Sequence, residues 1–214
     1  MNAVQTFQAY LSTHWTYFLS MIGRHLEVSA LSVVLAMLIA IPLGILCTHS
    51  PLLEKASVKF WGMLRIIPSV AILIVLIPVI GTGVVPAVVA LTILAIPPIL
   101  INTAQAFKQL PAPIVEAAVG MGMDARQLFF KIKAPLAFPI VFTGIRTAIV
   151  EVIASATLAA YIGAGGLGEI ILTGLGLMRN DLLWLGGVTV ALLSLGTGFL
   201  LNVLYRRMTR YQRV

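Results

Sequence analysis

Few residues in this 214-residue chain carry chemistry, and those that do lie in apolar company. Arg146 and Glu151 stand in one hydrophobic run, Asn102 and Thr103 in a second, and Pro68-Ser69 in a third. A charged side chain at the centre of a bilayer costs about 2.5–3.5 kcal/mol on translocon scales, so Arg146 and Glu151 must face protein, water or each other. Two readings stay open: an ion pair that holds neighbouring helices, or the gate or lining of a path. Asn102 and Thr103 read as interhelical glue or as path lining. Pro68 and Ser69 read as a kink that lines a path or simply packs. Catalytic arrangements are not visible. His14, His25 and His49 are scattered without metal-ligand spacing, and no Cys or carboxylate cluster joins them, so no metal site is expected. No acid–base pair, nucleophile elbow or phosphate-binding loop stands out either. The run Gly163-Ala164-Gly165-Gly166-Leu167-Gly168 lacks the Lys-Ser/Thr ending of a phosphate cradle and reads as an external turn or re-entrant elbow.

The elements that must position these groups are membrane helices. The chain is 60% hydrophobic and 10% charged, with a mean hydropathy of +1.05. A soluble domain carries about 25% charged residues. Five segments, 26–48, 61–80, 84–106, 136–161 and 182–205, are long and apolar enough to cross about 30 Å of hydrocarbon. Lipid offers the backbone no hydrogen bonds, so each is expected to be helical. The expected fold is therefore all-α and membrane-integral, with five transmembrane helices in a single domain, 1–214. The net charge of +7 has no aromatic-interleaved groove with it, so nucleic acid is not an expected partner.

Topology accounts for the charge. Lys55 and Lys59 follow the first span, Lys108, Arg126, Lys131 and Lys133 follow the third, and Arg206, Arg207, Arg210 and Arg213 follow the fifth. The positive-inside rule makes that side cytoplasmic, with the N-terminus outside and the C-terminus inside; Arg24 and Arg179 fall opposite. Residues 1–23 lack the cationic start of a signal peptide. With Phe7, Tyr10, Trp15, Tyr17 and Phe18 they suggest a short interfacial helix. Cys47 lies in an apolar run and offers no disulfide framework.

Between the third and fourth spans, residues 107–135 form a polar device of another kind. After Pro111 and Pro113, Ile114 to Met121 suit a short helix whose Ala117, Ala118 and Gly120 leave a nearly bare face. Gly122 permits a sharp turn. Asp124 caps a second helix, with Gln127 as its capping-box partner. Leu128, Phe129 and Ile132 make an apolar stripe on it, and Pro135 is expected to end it before the fourth span. Two short rigid helices at an angle suit a docking knob.

Glu116-Ala117-Ala118, Gly122, Ile132 and Pro135, in this order and spacing, resemble the EAA loop of ABC-importer permease subunits. The resemblance extends over nearly the whole chain. It implies the type I importer permease fold, with those six residues in the loop that forms the coupling helix, which docks on a separate ATPase subunit. ATP and magnesium would sit on that partner, and this chain would bind no cofactor and catalyse nothing. Further implied partners are a second permease subunit, identical or paralogous, an extracytoplasmic substrate-binding protein and the lipid bilayer of a bacterial or archaeal cell membrane. The glycine run is similar both to the branch for glycine betaine, carnitine and choline and to the methionine branch, whereas Ile67-Pro68-Ser69 and the Pro98 to Thr103 stretch look more like the former, although Ile101 stands where that branch often has Arg. In this frame Pro68, Ser69, Asn102, Thr103 and Glu151 are the path candidates, and Glu151 would attract a trimethylammonium group. A permease for methionine or another amino acid is the near rival, and a membrane-embedded enzyme acting on lipid head groups is a distant one. A passive channel or scaffold is a third.

Overall fold

The computed structural model describes residues 3–209, with side chains from residue 12 onward. The side chains of Phe7 and Tyr10 in the N-terminal aromatic group, and residues Arg210 and Arg213 of the basic tail, lie outside what is described. In chain order the helices are α1 (Ala3–Leu46), α2 (Pro51–Leu64), α3 (Ser69–Ile80), α4 (Val84–Lys108), α5 (Ala112–Gly120), α6 (Ala125–Gln127), α7 (Ala134–Ser155), α8 (Leu167–Gly176) and α9 (Asn180–Met208). Among the described residues, four stretches are long and apolar enough to cross a membrane: Ser12–His49, Val84–Lys108, Ala125–Ser155 and Asn180–Met208. A fifth exists only if α2 and α3 are counted as one span bent by 93°.

That bend corrects the expected continuous span 61–80. Pro68 has no N–H, and its ring forces the preceding residue out of the helical region. The chain tightens before it, with Ile66 N donating to Met63 O at 3.0 Å and Ile67 N to Leu64 O at 3.2 Å. It restarts when the Pro68 carbonyl accepts from Ala71 N at 2.9 Å. The 12 residues of α3 rise about 18 Å, well short of a bilayer core. Two other boundaries move. No helix break occurs at residue 23; α1 departs from helical geometry at His14 instead (φ −121°, ψ 26°). The fourth span stops being α-helical at Ser155, and Leu158–Ile162 is a 3₁₀ turn.

α4 is the central post, and small residues bring its neighbours close. Ser32, Ala36, Ala40 and Gly44 repeat every fourth position along α1 and are all buried against the core. A Cβ at Gly44 would lie 2.7 Å from Thr103 Cβ, and one at Gly144 of α7 would lie 2.6 Å from the Pro98 carbonyl oxygen. Without a hydrophobic force between helices in lipid, backbone-to-backbone packing of this kind supplies the attraction. Hydroxyls add to it: Thr92 Oγ1 of α4 donates to Ser32 O of α1 at 3.3 Å. His25, expected near a membrane boundary, is fully buried, with its Nε2 2.9 Å from Ile153 O of α7.

The glycine run becomes a turn that leads into α8. Gly163, Gly165 and Gly166 all have φ near +80°, a region that favours glycine. Gly168 follows directly, where a Cβ would fall on the Thr157 carbonyl.

Candidate functional site

The device after α4 is built from one turn and one irregular helix. Pro111 precedes α5, whose free N–H groups suit a proline start. At the other end Gly122 (φ +80°) donates to Val119 O at 2.9 Å, and Met123 N donates to Ala118 O at 3.3 Å. These are the two bonds of a Schellman motif, with Gly122 at the left-handed position. Asp124 Oδ1 then accepts from Gln127 N at 2.8 Å and starts the next helix. Glu116, Ala117 and Gly120 face outward, whereas Ala118 is turned inward and buried. The bare face is thus narrower than expected. Ile114, Val119 and Met121 flank it as exposed apolar groups.

Pro135 does not end the second helix, contrary to the sequence-based expectation. The helical rod runs from Ala125 to Ser155 without interruption. Leu128–Lys133 is wound as a π-helix just before α7, and Pro135 sits in the first turn of α7. In an ordinary α-turn the proline ring meets the carbonyl four residues back; the wider π turn relieves that clash and lets the rod continue. Leu128, Phe129, Ile132 and Pro135 are half-buried along it. Phe129 stacks on Phe107 of α4, with ring centres 5.7 Å apart and planes 10° apart. A second tie holds the base of the bundle: Lys108 Nζ reaches both carboxylate oxygens of Glu54 at 2.8 and 2.9 Å, joining the end of α4 to the start of α2.

The charged pair of the fourth span divides. Arg146 Nη1 reaches Asn202 Oδ1 of α9 at 3.4 Å, and Glu151 Oε2 lies 3.7 Å from Arg65 Nη2. Arg65 caps the end of α2, at the elbow that Pro68 and Ser69 complete, so the elbow and α7 meet through this ion pair. Thr143, Arg146, Thr147, Val150, Glu151 and Ala154 line an open groove of about 480 Å³ on one face of α7. The opposite face, with Gly144, Ala148 and Val152, is buried.

Asn102 and Thr103 are placed differently. Thr103 is fully buried, packed on Gly44, and its hydroxyl donates to Ile99 O of its own helix at 2.7 Å. Asn102 Nδ2 donates to Pro98 O at 2.7 Å beside the α7 crossing at Gly144. Neither lines the groove. Among the described residues no group of at least three His, Cys, Asp or Glu gathers as a metal set would. Sequence reasoning misses Arg65 because it falls inside an apolar run. A signal exists: Arg65 lies three residues before a proline that breaks the helix.

Residues 40–210 match the family described as the inner membrane component of binding-protein-dependent transport systems. The chain is 41% identical over 186 residues to the carnitine transport permease protein OpuCB of Listeria monocytogenes, covering 87% of this chain and 85% of that one. It is 37% identical over 209 residues to the glycine betaine/carnitine/choline transport system permease protein OpuCB of Bacillus subtilis, covering 98% and 95%. The solved inward-facing MetNI methionine ABC transporter superposes with a TM-score of 0.77 at 22% identity, covering 90% of this chain and 96% of that one, a likeness of fold. The chain is a multi-pass permease subunit and belongs to the family of binding-protein-dependent transport system inner membrane components.

Proposed function

We propose that this chain is the translocation subunit of an ATP-driven importer for quaternary-amine osmoprotectants in a bacterial cytoplasmic membrane. The observation that carries the reading is the near full-length similarity to relatives named for glycine betaine, carnitine and choline. The α7 groove supports it, because a charged, half-open face is costly against lipid and suits water or a second permease subunit. Two such faces together would enclose the path. A separate extracytoplasmic receptor delivers solute, and an ATPase dimer docks on α5 and the π turn, hydrolysing ATP that this chain does not touch. The flanking Ile114, Val119 and Met121 suit an apolar groove on that ATPase, with Ala117 and Gly120 allowing close approach. ATPase closure then moves the rod and switches the path between its two openings.

The test is radiolabelled uptake by the complete complex in proteoliposomes, with glycine betaine, carnitine, choline and methionine as separate solutes. ATP-dependent uptake of the quaternary amines and not of methionine is expected. Uptake of methionine alone would refute the substrate class while leaving the transporter reading in place.

A further inference from the structure

We propose that Arg65 and Glu151 together form a solute station in the path, one that selects zwitterionic quaternary amines over purely cationic ones. The inference rests on the quaternary-amine reading and assigns a role to Arg65, which composition and spacing alone did not single out.

The pair is loose. Its atoms approach to 3.7 Å, and both side chains are partly exposed, 44% for Arg65 and 30% for Glu151. Exposed pairs of this kind contribute little, so the contact can open readily. Opening leaves a cation on the elbow facing an anion on α7. A quaternary ammonium has no N–H to donate, and a carboxylate recognises it only through charge and methyl contact; Val150 and Ala154 beside Glu151 supply apolar surface for the methyls. A betaine entering here sets its ammonium on Glu151 and its own carboxylate on the Arg65 fork, a geometry that suits guanidinium–carboxylate pairing. Every charge then faces an opposite one. Choline carries no carboxylate, so its cation satisfies Glu151 and leaves Arg65 unpaired and repelling it.

Arg146 adds a second cation to the groove that Glu151 lines. It lies five residues along α7, about 7.5 Å of rise, and is held by Asn202 at 3.4 Å. Glu151 thus has one cation on its own helix, Arg146, and another on the elbow, Arg65, so a bare cation that approaches it meets both repulsions.

The experiment compares choline with glycine betaine uptake by the complete complex in proteoliposomes, using the same receptor throughout so that its own preference cancels against wild type. Arg65→Gln should move the choline-to-betaine ratio about tenfold toward choline, equivalent to about 1.4 kcal/mol. Arg65→Lys keeps the charge and should hold the ratio within about threefold of wild type, which also controls for folding at the elbow. Glu151→Gln should lower uptake of both solutes. If Arg65→Gln lowers both solutes by the same factor, the pair is only a structural latch and the proposal falls. If the wild-type complex moves neither solute, the quaternary-amine reading itself fails and takes the station with it.

Discussion

Gly122 is where the proposed docking geometry is most exposed to a single change. Its φ of +80° places it in the left-handed region, and a Cβ there would meet nothing within 4 Å. The first side-chain carbon therefore adds no clash inside this chain, and its cost is conformational. Left-handed geometry costs an ordinary residue about 1–2 kcal/mol, less for Asn and more for a β-branched side chain. If the Schellman turn sets the angle between α5 and the rod, that strain disfavours the docking-competent shape, reducing its population up to about 5- to 30-fold. The expected order of increasing loss is Gly122→Asn, then Gly122→Ala, then Gly122→Val. The assay is co-purification of the ATPase with the permease, read beside ATP-dependent uptake and permease abundance in the membrane. Abundance should hold while the other two fall together. A Gly122→Val variant that retains the ATPase as well as Gly122→Asn does would refute the turn argument, and so would losses that follow side-chain volume rather than left-handed tolerance.

Gly144→Ala should reduce the folded permease in membranes by about 1–3 kcal/mol of overpacking, because the new methyl meets the fixed Pro98 carbonyl at 2.6 Å; thermal stability of the detergent-purified protein checks it. Glu151→Gln should lower uptake more than abundance, whereas equal losses would mark the pair with Arg65 as structural. Lys108→Gln should cost about 0–1 kcal/mol of stability, since its side chain is 64% exposed and its partner Glu54 26%, so thermal stability should shift little. Deleting Lys131 removes one residue from the π turn and should restore an α register, turning α5 and α6 by about 100° relative to α7. ATP hydrolysis by the complex should then persist while uptake is lost, and unchanged uptake per ATP would count against the rod as the lever.

Local rules are legible in the sequence where one residue decides one conformation. Gly122 and Asp124 fall at the turn and cap that their chemistry dictates, and both bonds at Gly122 and the cap bond at Asp124 form. The long apolar runs 84–106 and 182–205 are helices, because hydrophobic length leaves the backbone no alternative. Pro135 misleads for a physical reason. The turn before it is π-wound, which spares its ring the carbonyl four residues back, and a residue of that turn, Phe129, packs on Phe107 from another helix, a contact no linear pattern displays. The break before Pro68 misleads in the opposite sense: unbroken hydropathy hides an elbow. Partners of charged groups are not legible, because Arg146 and Glu151 find theirs 56 and 86 positions away in the chain. The Ser32, Ala36, Ala40 and Gly44 repeat is readable but easily overlooked within a long apolar run, its four-residue period being the signature of close helix crossing.

The continuity of the Ala125–Ser155 rod changes how force would pass through this subunit. Its 31 residues rise about 46 Å, so one helix carries the proposed docking turn at one end and the Arg146–Glu151 face at the other. A break at Pro135 would have made the two ends independent, and any push would have been absorbed at a hinge. With the rod unbroken, a displacement at Asp124 must move Glu151, unless the π turn yields or the crossing at Gly144 slips. The first is braced by Phe129 on Phe107, and the second by backbone contact with Pro98. The weak point is then the ion pair to Arg65, whose elbow belongs to a different helix and is joined to α7 through partly exposed charges. Motion of the rod would part the elbow from α7 before it disturbs the packed core, opening the groove at the residues that could hold a solute.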